Sequence, residues 1–312
     1  QAGVIAGTKV LRVLNEPTAA ALSFGLDTEK NGVTLVYDLG GGTFDVTLLK
    51  IEDGCFTVIG TDGDRNLGGF DFDNALMSFV AEELSKQGAG NVLEDYLISA
   101  ELREKCEMVK RTLSNVAKAN LHISKDGKPY RVAISREDFE RASRSLLNRT
   151  QELVEDVLED TGYSWGQIDH VVLVGGSTRM PMVHKLIEDI SGMKPELGVN
   201  PDEAVAMGAA VQAAIEMESS IDVAGSAENS LPDMPLFTAP SVVIADVTPQ
   251  PLGVVMLGKD GKDYNNVVIP RNSPVPGSYS QDAATVSENQ SYVDVQVTQG
   301  DDLDLNYVVI IG

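Results

Sequence analysis

Val33-Thr34-Leu35-Val36-Tyr37-Asp38-Leu39-Gly40-Gly41-Gly42-Thr43-Phe44-Asp45-Val46-Thr47-Leu48-Leu49-Lys50-Ile51 sets three consecutive glycines between two apolar runs. Both runs are rich in β-branched residues and short enough to be strands, so the segment reads as strand, glycine turn, strand. Consecutive glycines let the backbone approach a ligand closely and aim several N–H groups at one point, which suits a phosphate. A carboxylate on each side, Asp38 and Asp45, suits a hydrated magnesium ion, a hard cation that seeks oxygen. The competing reading is a glycine-rich hairpin with two solvated acids. The acid pair together with Thr43 favours a nucleotide phosphate.

Outward from the hairpin, residues 1–217 alternate helical and strand patterns. Lys9 to Leu14 reads as a strand, and Asn15 as the cap of a helix that begins at Glu16-Pro17. Phe56-Thr57-Val58-Ile59 is a further strand. Phe72, Leu76, Phe79, Val80 and Leu84 have helical spacing, and a longer helix covers about 94–118. Asp126-Gly127 between two alternating runs signals a hairpin. Ser135 to Asp138 resembles a capping box and opens a helix expected to reach about Asp160, with Gly162 at its C-cap. His170 to Val174 reads as a buried strand running into Gly175-Gly176-Ser177. Pro181 starts the next helix, and a small-residue helix covers Pro201 to Met217.

Composition changes near 218 to Ser, Asp, Glu, Pro and Gly, which reads as a linker. Beyond it, alternation such as Tyr292 to Val297 indicates an antiparallel β module that ends on the apolar strand Tyr307 to Ile311. The expected organisation is therefore 1–217, a linker over 218–246, and a β module over 247–312.

The chain has 312 residues, 43% of them hydrophobic, and a net charge of −23. The length allows about two domains. The charge argues against general affinity for nucleic acid or anionic membrane, while one nucleotide needs only local positive groups and a metal ion. No apolar stretch approaches the roughly 20 residues of a membrane span, and Gln1 to Ile5 has no charged leader. Two cysteines and three scattered histidines argue against a disulfide framework or a zinc site. The expectation is a reduced cytoplasmic protein.

Three further constellations carry chemistry. Val171 to Pro181 takes a strand through a glycine pair into a helix, placing N–H groups at the strand's C-terminal edge, where α/β sheets bind ligands. Ser177 and Arg179 add a hydroxyl and a flat guanidinium; the alternative is a plain βα turn. Glu107, Lys110, Arg111 and Ser114 share one helix face beside the apolar stripe Leu102, Cys106, Val109, Leu113 and Val116. Taken alone, that face reads as solvated surface with an ion pair of about 0.3–0.5 kcal/mol. Asn15-Glu16-Pro17-Thr18 and Asn200-Pro201-Asp202-Glu203 each place an acid at a helix start, for which the helix dipole is a sufficient reason. No spacing indicates a Ser-His-Asp or Cys-His arrangement.

In their order along the chain, these motifs, with Leu67-Gly68-Gly69 and Asp71-Phe72-Asp73, resemble the seventy-kilodalton heat-shock chaperones of the DnaK type. The resemblance covers nearly all of 1–217. It implies an α/β, actin-like (ribonuclease H-like) ATPase lobe followed by an antiparallel β-sandwich module that is incomplete here, with ATP or ADP and Mg2+ as ligands. By resemblance, Gly40, Gly41, Gly42 and Thr43 form the second phosphate loop. Asp38 and Asp45 hold hydrated magnesium, and Glu16 lies near the attacking water and the metal. Gly69 joins the nucleotide site, and Glu107, Lys110, Arg111 and Ser114 clamp the adenosine. Gly175, Gly176, Ser177 and Arg179 form the other wall, with Asp202 nearby.

The implied partners are unfolded or extended polypeptides, a J-domain co-chaperone and a nucleotide exchange factor. The implied chemistry is γ-phosphate hydrolysis by positioning and electrostatics, coupled through the linker to peptide binding. Phe70 stands where the family pattern has an acid, and Ala245 where it has a larger aliphatic residue. The resemblance places Gln1 about midway through the nucleotide domain, so the first phosphate hairpin and a catalytic lysine fall outside the 312 residues, and hydrolysis by the chain alone is expected to be weak or absent. The alternatives are a non-catalytic regulatory or polypeptide-binding relative, and a different actin-like enzyme such as a sugar kinase or filament former. The 107–114 clamp and the β module argue against the last.

Overall fold

A computed structural model describes residues 1–25, 31–196, 200–224, 243–285 and 290–312. Its centre is a six-stranded mixed sheet whose middle is the glycine hairpin. Strands β1 (Gly32–Leu39), β2 (Phe44–Glu52) and β3 (Cys55–Asp64) run antiparallel in succession. Strand β6 (His170–Val174) lies parallel to β1. Beyond β3 come β7 (Val243–Val247), parallel to it, and β10 (Pro274–Val275), giving the order β10-β7-β3-β2-β1-β6.

Both faces of this sheet are covered, as the near-continuous apolar runs require. One face carries Leu35, Tyr37, Leu39, Phe44, Val46, Leu48, Val171 and Leu173 into the larger core. That core is completed by α3 (Gly69–Lys86), α4 (Tyr96–Asn115), the hairpin β4 (Lys118–Lys125) with β5 (Lys128–Ser135), α5 (Arg136–Ala142), α6 (Arg144–Thr161) and α7 (Pro181–Ser191). Tyr37 is fully buried, and its hydroxyl donates to Thr150 Oγ1 on α6 at 2.7 Å, so its polar end is satisfied.

The opposite face carries Val36, Leu49, Ile51, Val172 and Val174 against α2 (Glu16–Gly25) and α8 (Ala204–Ala224). These two helices touch where Gly208 meets Ala19: a Cβ on residue 208 would fall 1.7 Å from the Ala19 carbonyl oxygen. That contact needs glycine, and it seats the N-terminus of α2 over the edge of the sheet where the hairpin turns.

The remaining strands, β8 (Leu252–Leu257), β9 (Asp263–Ile269), β11 (Val297–Gln299) and β12 (Val309–Ile310), form a separate antiparallel sheet in the order β12-β11-β8-β9. The β4–β5 hairpin turns through Asp126 and Gly127, both at positive φ as the Asp-Gly signal requires.

Several expectations are corrected. Residues 9–14 follow the short helix α1 (Ala2–Ile5) without forming a strand: Val13 is 86% exposed, and no strand among the described residues lies beside them to complete a ladder. The helix opened by the Ser135 box stops at Ser143, whose hydroxyl bonds back to the Phe139 carbonyl at 2.8 Å, and α6 begins anew. Helix α8 runs to Ala224, past the change in composition; of the segment read as linker over 218–246, residues 225–242 lie outside the described residues and Val243 to Asp246 are strand, paired with β3 in the central sheet. Tyr292 to Gln296 are not strand, although the Gln296 carbonyl accepts from the Val255 N–H of β8 at 3.0 Å, and the strand starts at Val297. Only Val309 and Ile310 of the terminal apolar run are strand.

Candidate functional site

Asp38 and Asp45 are direct cross-strand partners in the β1–β2 ladder, so both carboxylates project on the α2 face. Opposed like charges weaken a ladder, which marks the pair as more than structural. Glu16, in the first turn of α2, adds a third carboxylate close enough to act electrostatically on both. No hydrogen-bond donor or cation pairs with any of the three among the described residues. Burial pushes Asp38 up to about 7, with Glu16 and then Asp45 adding to the rise. Asp45 is also raised, by burial first and then by Glu16 and Asp62, with Arg65 opposing. Three unpartnered acids in this setting fit a cation. No three metal-binding side chains among the described residues converge to grip an ion directly. The donor set therefore fits an ion that keeps its water shell, as Mg2+ usually does.

The turn itself is pinned by its carbonyls. The Gly40 N–H donates to the Thr43 carbonyl at 3.0 Å. The Gly40 oxygen accepts from the Gly69 N–H at 3.0 Å and from Ser177 Oγ at 2.8 Å, and the Gly41 oxygen accepts from the Phe70 N–H at 2.8 Å. The N–H groups of Gly41, Gly42 and Thr43 find no acceptor among the described residues. A Cβ added at Gly41 or Gly42 meets nothing within 4 Å, and neither residue has positive φ. Neither packing nor backbone strain calls for glycine there, so the open space serves a ligand's approach. Three unpaired N–H groups around such a space make an anion nest.

Gly41 also lines a cleft of about 800 Å³. One wall is the α4 face of Glu107, Lys110, Arg111 and Ser114, with Gly69, Phe70 and Asp73 of α3. The other wall holds Gly176, Ser177, Arg179, His184 and Asp202. Lys110 is largely buried and pairs with Asp73 at 2.9 Å while donating to the Gly69 carbonyl at 2.8 Å. Arg111 pairs with Glu107 on its own helix, and Arg179 with Asp202 at 2.6 Å. The two exposed guanidiniums face the cleft from opposite walls, as a flat ligand needs. Gly175, at φ 84°, lets β6 turn sharply: a Cβ there would lie 2.4 Å from the Leu39 carbonyl oxygen and 2.8 Å from Asp38 Oδ1. The second wall is thereby locked to the Asp38 end of the hairpin.

On the other side of the hairpin, Asp45 lines a smaller pocket of about 240 Å³ with Asn15, Glu16, Thr18, Thr47, Thr61 and Asp246. Among the described residues no lysine or arginine lines it. Asn15 stands at the start of α2, its carbonyl accepting from the Ala19 N–H at 3.0 Å, and its side-chain amide donates to the carboxylate of Asp246 on β7 at 2.8 Å. Three more contacts tie the β3 end to the segment around the β8–β9 sheet. Arg271 pairs with Asp62 at 2.7 Å, Asn272 accepts from the Thr61 N–H at 3.0 Å, and Arg65 donates to Gln250 at 3.1 Å.

The structure thus gathers Gly41, Gly69, Glu107, Lys110, Arg111, Ser114, Gly176, Ser177, Arg179 and Asp202 into one cleft, and Glu16 and Asp45 into the pocket beside it. Gly40, Gly42, Thr43, Asp38 and Gly175 lie between the two, in or against the hairpin. Sequence reasoning missed Asp73 as the partner of Lys110, although an acid beside the apolar stripe Phe72-Leu76-Val80 signals a buried charge that needs one. It also missed the Asn15–Asp246 bond and the places of Phe70 and His184 in the cleft.

Among the described residues no helix is long and apolar enough to cross a membrane. The family described as "Hsp70 protein" matches residues 1–312. A protein of Thalassiosira pseudonana named "Chaperone protein dnaK" is 40% identical over 306 residues, 96% of this chain and 47% of its own length. A protein of Metamycoplasma hominis named "Chaperone protein DnaK" is 40% identical over 308 residues, 96% of this chain and 48% of its own length. The chain spans about half the length of these curated relatives.

Proposed function

On the premise that this chain belongs to the Hsp70 family, which the match over residues 1–312 establishes, we propose that it carries the ATP- and Mg2+-binding part of an ATP-dependent chaperone joined to the start of a polypeptide-binding module. The observation that carries the reading is the hairpin. Unpaired N–H groups at 41–43 open beside the 800 Å³ cleft, and unpartnered carboxylates stand on the sheet face behind them. The cleft takes the nucleoside between Arg111 and Arg179, the turn takes the phosphates, and Asp38, Asp45 and Glu16 hold the hydrated ion. When bound, that ion supplies charge neutralisation to the phosphate oxygens. Glu16 orients water in the smaller pocket, while Ser177 and Gly69 keep the turn in place by holding Gly40.

The reaction is hydrolysis of ATP to ADP and phosphate, driven by positioning rather than by a covalent intermediate. The 312-residue chain turns over slowly by itself, because no lysine or arginine among the described residues lines the carboxylate pocket to join the ion in stabilising charge developing on the γ-phosphate. The module from 247 onward binds extended polypeptide, and a J-domain co-chaperone and an exchange factor act on the cycle. Coupling runs through β7: Asn15 adjoins Glu16 and holds Asp246, so a change at the phosphates bears on the strand that leads into the module.

Isothermal titration of the chain with ATP and ADP in Mg2+ tests the reading. One-to-one binding that weakens in Arg111→Ala and Arg179→Ala supports it. Absence of binding to either nucleotide refutes it. Nucleotide binding with no measurable turnover, alongside retained peptide binding, favours the non-catalytic relative instead.

A further inference from the structure

Stacking holds a base without naming it, because every base has a flat face. The guanidiniums of Arg111 and Arg179 offer such faces, and each is already paired with an acid, Arg111 with Glu107 and Arg179 with Asp202. Identity is read at a base's edge, by groups with a donor or acceptor to spare. Ser114 turns its hydroxyl back toward the Lys110 carbonyl at 3.4 Å. His184 has no such engagement. It lines the cleft, it is exposed, and neither ring nitrogen has a hydrogen-bond or ion-pair partner among the described residues.

The cleft has two ends. At the glycine turn stand Gly69, Lys110 and Ser177: the Gly69 N–H and Ser177 Oγ bond the Gly40 carbonyl, and Lys110 bonds the Gly69 carbonyl. Ser114 and Asn115 lie a helical turn beyond Lys110 on α4, and Met180 and His184 lie beyond Ser177 on the facing wall; none of the four bonds the turn. Met180 and Ser114 also line one small adjoining pocket, so the two walls come together at this end. His184 follows Met180 by four residues at the start of α7, so both fall on one face. A purine joined to its ribose at N9 carries its six-position edge far from the sugar. With the phosphates on the turn and the base between the two guanidiniums, that edge meets the end of the cleft where His184 stands.

We infer that His184 reads the base: a ring nitrogen accepts a hydrogen bond from the 6-amino group of adenine, and thereby selects adenine nucleotides over purine nucleotides that lack this donor. The inference deepens the nucleotide reading of the cleft and rests on it. The imidazole touches the base and not the phosphates, so it acts on affinity and base choice and not on hydrolysis. A ligand without the amino group leaves the acceptor unmatched.

The test is isothermal titration of the full 312-residue chain in Mg2+ with ADP, GDP and purine riboside 5′-diphosphate, which has hydrogen in place of the amino group. The wild type is expected to bind ADP about three- to tenfold more tightly than either of the others. His184→Ala is expected to remove that margin by weakening ADP alone, with the purine riboside diphosphate within about twofold of its wild-type affinity and the thermal midpoint unchanged. His184→Gln is expected to keep most of the ADP affinity, because its amide oxygen accepts the same bond. Equal weakening of ADP and the analogue in His184→Ala overturns the inference in favour of a structural role, and so does an unchanged ADP affinity. A wild-type chain that binds none of the three ligands refutes the nucleotide reading and this inference with it. ADP binding whose margin over the analogue survives without His184 refutes the inference alone.

Discussion

Replacing Asp38 by Asn should stabilise the protein at neutral pH in the absence of divalent cations, although Asp38 lies at the heart of the site. Asp38 is 8% exposed, faces Asp45 across the ladder and feels Glu16, and its carboxyl is pushed up to about 7. The unfolded chain has the ordinary value of about 3.9. Between those values the folded state holds a proton that the unfolded state has released, so stability is fully present below about pH 4 and is lost as pH rises to 7. About three pH units at 1.4 kcal/mol each give an upper bound near 4 kcal/mol. Asn keeps the shape and removes the charge. Urea unfolding of wild type and Asp38→Asn in EDTA from pH 5 to pH 8 reads the effect. The wild type should lose about 1–3 kcal/mol relative to the variant across that range, which covers only about two of the three pH units. Mg2+ should narrow the gap at pH 8 by binding the folded wild type. Parallel pH profiles for the two proteins, or an Asn variant less stable at pH 8, would refute the account of the carboxylate cluster.

The glycines should separate into two classes. Gly41→Ala should leave the thermal midpoint unchanged or slightly higher while weakening ADP binding, since its Cβ enters only the ligand's space. Gly175→Ala should cost about 2–4 kcal/mol in urea unfolding, from positive φ and overlap with the Leu39 carbonyl. Lys110→Met should cost about 3–5 kcal/mol by leaving Asp73 buried without its partner, and Lys110→Met with Asp73→Leu should recover much of that, read by the same method.

The hairpin was legible because its information is local. β-Branched runs fix two strands, three glycines fix a turn, and Asp38 and Asp45 face each other once the register is set by that turn. The 107–114 face was equally local, since helical periodicity alone puts four side chains together. Its role was not local: only Gly69 and Asp73 on α3, and Arg179 across the cleft, turn a polar stripe into a wall. What sequence could not supply was partner choice between distant segments. Val243 to Asp246 fell in the segment read as linker, and nothing in their composition names β3 as their neighbour. The Asn15–Asp246 bond joins residues far apart in sequence, and the local pattern shows only that Asn15 starts a helix. The break at Ser143 was missed because a serine that bonds back to the chain leaves the apolar periodicity of α5 and α6 intact.

The central claim is that three separated segments, 40–43, 107–114 and 175–179, act as one nucleotide site. Hydrogen–deuterium exchange of the chain with and without saturating ADP and Mg2+ tests it most directly. The account predicts slowed exchange in all three segments together, with Gly41 to Thr43 protected from a fully exchanging state. Unchanged exchange at 40–43, or protection confined to one wall of the cleft, would contradict it.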